Sequence, residues 1–136
     1  GGNANQFHLN HIRIDSCGSD GLRIDGSDAN AGVIVNISSA SNGGWGINDT
    51  SAFGNIYLGG NLDSNLGGSI RTTGGSAAHV IIGMYTELGV QPVAELVFPT
   101  LVLGGHLASS GSVSAASTAH INQGGLATRY PYTLYW

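Results

Sequence analysis

The segment Gly21-Leu22-Arg23-Ile24-Asp25 recurs as Gly44-Trp45-Gly46-Ile47-Asn48 and again as Gly67-Gly68-Ser69-Ile70-Arg71, each time twenty-three residues further along the chain. A second set of segments repeats at intervals of twenty-three and twenty-four residues: Val33-Ile34-Val35, Ile56-Tyr57-Leu58 and Val80-Ile81-Ile82. A repeat of this length is typical of a solenoid, in which each repeat forms one coil. The two sets therefore predict two strands in every coil.

These segments are short and apolar at alternate positions, and Gly, Asn, Ser and Asp separate them, as expected for strands joined by turns. A helix is disfavoured because each glycine of pairs such as Gly59-Gly60 would cost about 1 kcal/mol relative to alanine. In a parallel β-helix, equivalent residues stack at about 4.8 Å and build ladders inside the coils. An antiparallel sandwich would explain the alternation equally well, but it gives no reason for a fixed period. The sequence thus predicts an all-β fold, a parallel β-helix of about four coils with a period near 23.

Two inner ladders are expected. Ile24, Ile47 and Ile70 should form the first, and the second should join one residue from each segment of the second set: Val33 or Val35, Ile56 or Leu58, and Val80 or Ile82. Asparagines recur at the predicted coil corners, where they tolerate left-handed backbone and can hydrogen-bond from coil to coil.

Three parts are expected along the chain: a repeat region over 1–90, terminal strands that close the solenoid over 91–107, and an extended arm with an aromatic tail over 108–136. Pro92 and Pro99 bracket an apolar run that should be an edge strand or a change of architecture, because proline cannot donate to a central ladder. Thr100-Leu101-Val102-Leu103 reads as one further strand, and the Ser/Ala-rich stretch 108–118 as a linker or arm. The tail crowds four aromatic residues that need cover from the solenoid end, another chain or a ligand: Tyr130, Tyr132, Tyr135 and Trp136.

Composition excludes several functions. The 136 residues carry a net charge of −4 with only four arginines and no lysine, so no basic stripe exists for nucleic acid. No apolar run is long enough to cross a bilayer, and membrane insertion is not expected. Cys17 is the single cysteine, so no intrachain disulfide forms. Apolar alternation begins at Phe7 without a polar cap, which suggests a fragment of a longer chain.

Three stretches carry a resemblance to a known group: Asn42-Gly43-Gly44-Trp45-Gly46-Ile47, Ile82-Gly83-Met84-Tyr85-Thr86-Glu87, and Pro99-Thr100-Leu101-Val102-Leu103-Gly104-Gly105. Over about residues 5–106 the chain resembles the right-handed β-helix of pectate-lyase-like proteins, particularly phage tailspikes and related receptor-binding proteins. The resemblance implies a right-handed helix, a homotrimer with coils side by side, an extracellular or virion location, and binding or cleavage of cell-surface polysaccharide. It supplies no catalytic motif for these positions.

Cleavage of a glycosidic bond by two carboxylates needs a pair about 5 Å apart for retention or about 6.5 to 9.5 Å apart for inversion. Asp63 and Glu87 are one coil apart and are the candidate catalytic pair, and Asp25 and Asp49 have the same separation. The alternative is that these acids are solvated corner residues.

Sugar binding without cleavage needs aromatic faces, amides and charged groups on the outer surface. Trp45, Tyr57, Tyr85 and Arg71 are the candidates, and alternation predicts that Tyr57 points outward. Arg71 could equally bind a sugar carboxylate or belong to a solvated face, and Trp45 could instead pack inside beside Ile47. We expect no metal, because His8 and His11 fall on opposite strand faces. We expect no cofactor, because no phosphate-binding loop occurs, and no serine-hydrolase elbow occurs either.

The sequence-based hypothesis is therefore a structural and receptor-binding segment of a tailspike-like appendage. It assembles as a homotrimer or a filament-like stack and binds cell-surface polysaccharide. A polysaccharide-degrading lyase or glycoside hydrolase is the alternative reading, and a purely structural fibre module is the third.

Overall fold

A computed structural model describes residues 4–73 and 79–86, together with the backbone of four later strands at 94–96, 100–103, 113–115 and 120–122. The strands in chain order are β1 His8–Asn10, β2 Arg13–Asp15, β3 Leu22–Ile24, β4 Val33–Ala40, β5 Trp45–Asp49, β6 Ile56–Asp63, β7 Gly68–Thr72, β8 His79–Thr86, β9 Ala94–Leu96, β10 Thr100–Leu103, β11 Val113–Ala115 and β12 His120–Asn122. No helix occurs in these ranges, and therefore no helix long and apolar enough to cross a membrane is found among the described residues.

All strand pairs are parallel, and they form two sheets that wind past each other as coils. The larger sheet runs β1-β4-β6-β8-β10-β12, with β2 also paired to β4, and the smaller runs β3-β5-β7-β9-β11. Consecutive strands of the chain alternate between the sheets from β4 onward, which is the path of a β-solenoid. The predicted all-β parallel β-helix is confirmed, with about three turns in place of about four.

Left-handed backbone positions stack at two bends of each coil. His11, Asn36, Gly59 and Gly83 have φ values of 51°, 52°, 62° and 66°, and each directly follows residues that pair in register. This column divides the eight-residue strands into two straight halves, so that the first half of β4 pairs with β1 and the second with β2. Ser16, Ser41 and Ser64 form a second such column, with φ between 51° and 57°. Glycine, asparagine and serine suit these bends because left-handed backbone is costly for larger L-residues.

In the larger sheet the strands pair in the predicted register, but the residues predicted to face inward do not form the inner ladder. Val33 pairs with Ile56 and Ile56 with Val80, as the repeat predicts. The inner ladder, however, consists of the residues between them, Ile34, Tyr57 and Ile81, which are 0–2% exposed. The expectation that Val33 or Val35 would join Ile56 or Leu58 and Val80 or Ile82 inside was therefore wrong. These strands are apolar at successive positions, so alternation could not separate the inner from the outer face.

The smaller sheet corrects the other predicted ladder. Leu22, not Ile24, pairs with Ile47, and Ile47 pairs with Ile70. The first coil is thus two residues longer than the next at this sheet, because twenty-five residues separate Leu22 from Ile47 and twenty-three separate Ile47 from Ile70. Ile24 pairs instead with Asp49.

Asparagines connect successive coils, as expected. Asn42 Nδ2 donates to Asn65 Oδ1 at 2.8 Å, and Asn65 Nδ2 donates to the Ser39 carbonyl oxygen at 2.9 Å. The Cys17 backbone N–H donates to Asn42 Oδ1 at 2.9 Å, which extends the contact to the first coil. Both asparagines are buried, so these bonds satisfy amide groups that water does not reach.

The later strands continue the same two sheets. β10 confirms the strand predicted at 100–103 and pairs with β8 and β12. β9 lies between β7 and β11, so it is not the edge strand that its flanking prolines suggested, and β11 falls within the stretch predicted as a linker or arm. The tail residues predicted to serve assembly, Tyr130, Tyr132, Tyr135 and Trp136, lie outside the described residues.

Candidate functional site

Two of the predicted ligand-binding residues meet on the smaller sheet. The guanidinium carbon of Arg71 lies 5.8 Å from the centroid of the Trp45 indole ring, within the range of a cation–π contact. Asn48 pairs in register with Arg71 on one side and with Arg23 on the other. Both Trp45 and Arg71 are partly exposed. We call Trp45, Arg71, Asn48 and Asp20 the Trp45–Arg71 face.

Asp20 holds this face together from the turn before β3. Its Oδ1 accepts a hydrogen bond from the Trp45 backbone N–H at 2.8 Å, and its Oδ2 accepts one from Asn48 Nδ2 at 2.8 Å. Gly44 leaves room for the carboxylate, since a Cβ there would lie 2.4 Å from Asp20 Oδ1. The Asn-Gly-Gly-Trp stretch thus has a local physical reason: the second glycine admits the carboxylate that orients the tryptophan.

The other predicted ligand-binding residues lie elsewhere. Tyr57 is 0% exposed, so the expectation that it points outward was wrong, and its ring has no surface to offer a sugar. Tyr85 is 40% exposed but belongs to β8 of the larger sheet, where it pairs in register with Asn61. The structure therefore brings Trp45 and Arg71 together and leaves Tyr85 on a different sheet.

Of the two candidate carboxylate pairs, the structure describes both members only of Asp25 and Asp49. Asp63 is half-buried at the end of β6 and accepts a hydrogen bond from Ser64 Oγ at 2.7 Å, whereas Glu87 lies outside the described residues. The pair Asp25 and Asp49 is not a stacked pair of carboxylates on one surface. Asp25 is exposed and binds Arg23 with a 3.0 Å N–O distance, while Asp49 is 0% exposed inside the coils.

Asp49 is the centre of a buried polar network that sequence reasoning missed. Its Oδ2 accepts hydrogen bonds from the Tyr57 hydroxyl at 2.5 Å and from Asn55 Nδ2 at 2.8 Å. Its Oδ1 accepts one from the Ser51 backbone N–H at 2.9 Å. His79 Nδ1 lies 3.3 Å from Oδ2. The hydrogen bonds from Tyr57, Asn55 and Ser51 compensate for removing a carboxylate from water, which would otherwise be costly.

The protonation of this network follows from its hydrogen bonds. The Asn55 backbone N–H donates to His79 Nδ1 at 3.3 Å, so that nitrogen is unprotonated and the neutral ring carries its proton on Nε2. Burial lowers the pKa of His79, and this effect outweighs the attraction of Asp49, which raises it. Burial, together with the charge and hydrogen bond of Asp49, raises the pKa of Tyr57 well above its usual value. Both shifts favour the neutral forms of His79 and Tyr57 beside Asp49.

The position of this network makes it a structural element. Asp49, Asn55, Tyr57 and His79 are all 0% exposed, so a polymeric substrate does not reach them. Asn55 also spans coils, because its Oδ1 accepts from the Gly32 backbone N–H at 2.8 Å. In the sequence, only the spacing of twenty-three residues between Asp49 and Thr72 could have indicated that Asp49 lies on a strand rung and not at a corner. Reading Asp49 as a solvated corner concealed it.

Among the residues whose side chains are described, no group of three or more His, Cys, Asp or Glu is arranged to hold a metal ion. Comparison with known proteins found that no protein-family profile, no curated protein and no solved structure matches this chain.

Proposed function

We propose that this chain is a glycan-binding β-solenoid module that recognises a carboxylate-bearing polysaccharide through the Trp45–Arg71 face. The observation that carries the proposal is the 5.8 Å contact between the Arg71 guanidinium and the Trp45 ring on a partly exposed sheet surface. An indole ring provides an apolar surface for the C–H face of a pyranose. A guanidinium stacked on an aromatic ring is held in position to bind a carboxylate with two parallel hydrogen bonds.

The other two residues of the face supply orientation. Asp20 fixes the backbone of Trp45 and the amide of Asn48 at 2.8 Å each, so the aromatic and amide groups keep their places before a ligand arrives. Such preorganisation favours affinity because less side-chain freedom is lost on binding. The negative net charge of the chain adds no general attraction for an acidic polymer, so recognition depends on the local guanidinium.

The wider setting follows from the resemblance. A parallel β-solenoid is the fold that pectate-lyase-like proteins and tailspikes use, and we propose that the module belongs to a tailspike-like viral appendage outside the cell. Side-by-side assembly into a homotrimer is part of the same proposal.

The test measures binding of polygalacturonate and of uncharged dextran by affinity electrophoresis and calorimetry. Trp45→Ala should weaken binding of polygalacturonate about tenfold or more, and Arg71→Gln should do the same, since a charge-assisted hydrogen bond contributes about 1.5 to 3 kcal/mol. Arg13→Gln, at an exposed arginine on β2, is the matched control and should leave affinity unchanged. Equal binding by all three variants and the unaltered chain would refute the proposal.

The same samples test the enzymatic alternative. A binding module leaves the polymer length unchanged after long incubation. Shortening of polygalacturonate that disappears in Asp63→Asn or Glu87→Gln would favour a depolymerase over a binding module.

A further inference from the structure

The second half of the larger sheet has a polar outer face that is separate from the Trp45–Arg71 face. Ser39, Leu62 and Thr86 are 0% exposed inside the coils, so the residues next to them in β4, β6 and β8 point outward. Along this half, β6 pairs with β4 on one side and with β8 on the other, so it is an inner strand of the sheet. The outward residues are Ser38 and Ala40 on β4, Asn61 and Asp63 on β6, and Tyr85 on β8.

Three different kinds of side chain lie next to one another on this face. Asn61 pairs in register with Tyr85 of the next coil, and neighbouring strands lie about 4.8 Å apart. Asp63 follows two positions after Asn61 on the same side of β6, at about 3.3 Å per residue. A single pyranose ring is wide enough to reach an aromatic ring, an amide and a carboxylate at these spacings. We call Tyr85, Asn61 and Asp63 the Tyr85–Asp63 face.

The residues beside the Tyr85–Asp63 face leave room for a ligand. Ser38 pairs in register with Asn61, and Ala40 pairs with Asp63, so the preceding coil carries only small side chains at these two positions. On the side of the next coil, Tyr85 is 40% exposed. An exposed aromatic ring offers an apolar surface on which the C–H face of a pyranose can stack.

Two side-chain oxygens of the Tyr85–Asp63 face have no donor among the described residues. Asn61 Oδ1 is buried and accepts no hydrogen bond there. Buried polar atoms are nearly always paired, so this oxygen marks a position where a bound molecule can supply the missing donor once the amide turns outward. Asp63 Oδ1 accepts from Ser64 Oγ at 2.7 Å, and within the described part of the chain Oδ2 keeps its lone pairs for a ligand.

The charge of the Tyr85–Asp63 face distinguishes it from the Trp45–Arg71 face. Its charged group is the carboxylate of Asp63, and Arg13, the arginine in the same outer column, already binds Asp15. A carboxylate repels an acidic sugar. It accepts hydrogen bonds from the hydroxyls of an uncharged sugar, and such bonds to a charged acceptor are strong. The two faces therefore suit different classes of sugar.

We propose that the Tyr85–Asp63 face is a second binding site, which takes an uncharged sugar bearing two adjacent hydroxyls. Tyr85 stacks on the sugar ring, Asp63 Oδ2 accepts a hydrogen bond from one hydroxyl, and the Asn61 amide binds the next. Asp63 serves here as a hydroxyl acceptor and not as a catalytic acid. The site does not depend on carboxylate recognition by the Trp45–Arg71 face, because it needs no acidic group on the ligand.

The test is affinity electrophoresis through gels that contain dextran, mannan or galactan, three uncharged polymers that differ in the arrangement of their hydroxyls. At least one of them should retard the unaltered chain. Tyr85→Ala should weaken that binding about tenfold or more, and so should Asp63→Asn, which keeps the shape of the side chain but removes its charge. The matched controls are Phe53→Ala, at another exposed aromatic residue, and Asp28→Asn, at another exposed carboxylate, and both should leave the affinity unchanged.

Asn61→Ala separates a ligand contact from a structural one. Because no described group donates to Asn61 Oδ1, its removal should leave the urea midpoint of unfolding unchanged, while the affinity for the polymer falls. A lower midpoint with an unchanged affinity would assign Asn61 to the fold and contradict the proposed site.

The two sites can fail separately. Arg71→Gln should not change the binding of the uncharged polymer, and Tyr85→Ala should not change the binding of polygalacturonate. Far-ultraviolet circular dichroism checks that each variant keeps its strands. The proposal would be overturned if none of the three polymers retarded the unaltered chain, if Tyr85→Ala and Asp63→Asn bound as the unaltered chain does, or if Trp45→Ala alone abolished the retardation.

Discussion

Replacing Tyr57 by phenylalanine removes one hydroxyl from the centre of the solenoid and changes nothing else in size. That hydroxyl donates to Asp49 Oδ2 at 2.5 Å, and both residues are 0% exposed. Asp49 keeps its bonds from Asn55 and Ser51, so the carboxylate stays partly compensated. Hydrogen bonds to charged groups contribute about 1.5 to 3 kcal/mol, and we expect the free energy of unfolding to fall by about 2 kcal/mol at pH 7.

Urea unfolding followed by circular dichroism measures this difference, with the denaturant slope unchanged because the same surface is exposed on unfolding. Tyr85→Phe is the matched control. Tyr85 is 40% exposed, so water can take the place of its hydroxyl, and the free energy of unfolding should change by no more than about 0.5 kcal/mol. Equal losses in the two variants would refute the reasoning, because the buried bond would then contribute no more than a solvated one.

The same substitution predicts a change at alkaline pH. The pKa of Tyr57 is raised in the folded protein, so above pH about 10 the unfolded state releases a proton that the folded state retains. Stability should therefore fall as pH rises above about 10, and this Tyr57 contribution should be absent in Tyr57→Phe. An identical alkaline decline in both proteins would mean that the hydroxyl does not titrate as described.

Two further predictions concern the acid limb and the bends. Burial lowers the pKa of His79 in the folded state, so as the pH falls the unfolded state protonates this histidine before the folded state does. The free energy of unfolding should therefore be unaffected by His79 above pH about 6.5 and decline below it. His79→Asn should flatten that decline in urea titrations. Gly59→Ala should lower the free energy of unfolding by about 1 kcal/mol, since only its φ of 62° resists a side chain. Gly60→Ala should lower it by at least about 3 kcal/mol, because its φ is 126° and the new Cβ would lie 2.3 Å from the Ile37 carbonyl oxygen. Thermal denaturation that ranks the two alanine variants equally would contradict this account of the bends.

The coil was predictable because the repeat of apolar segments fixes which strands pair. Val33, Ile56 and Val80 share a rung as their spacing predicts. The face of each strand was not predictable, because Tyr57 is placed inside by Asp49, a partner that belongs to another strand. The predicted ladder of the smaller sheet was wrong in the first coil for a different reason. Two extra residues before Ile47 place Leu22, and not Ile24, opposite Ile47.

The sequence allowed the residue types of the candidate site to be predicted, but not the contacts between them. Trp45 and Arg71 were suited to a sugar from their chemistry, and the register that unites them follows from Asn48 opposite Arg71. The role of Asp20 was not predictable, because it reaches the next coil from an irregular turn that no repeat specifies. Long-range contacts of single side chains carry no periodic signal in the sequence.

The buried network affects which strands pair with each other while the chain folds. Apolar segments of successive coils are so alike that a strand could stack one coil too far during folding, with a whole repeat looped out. If β4 met β8, the Gly32 backbone N–H would face His79 where Asn55 normally accepts its bond. The Asn42 to Asn65 link would be broken in the same error. Unlike the interchangeable valines and isoleucines, these polar residues each identify a particular neighbour, and they penalise mis-stacking of coils that hydrophobic burial alone would tolerate.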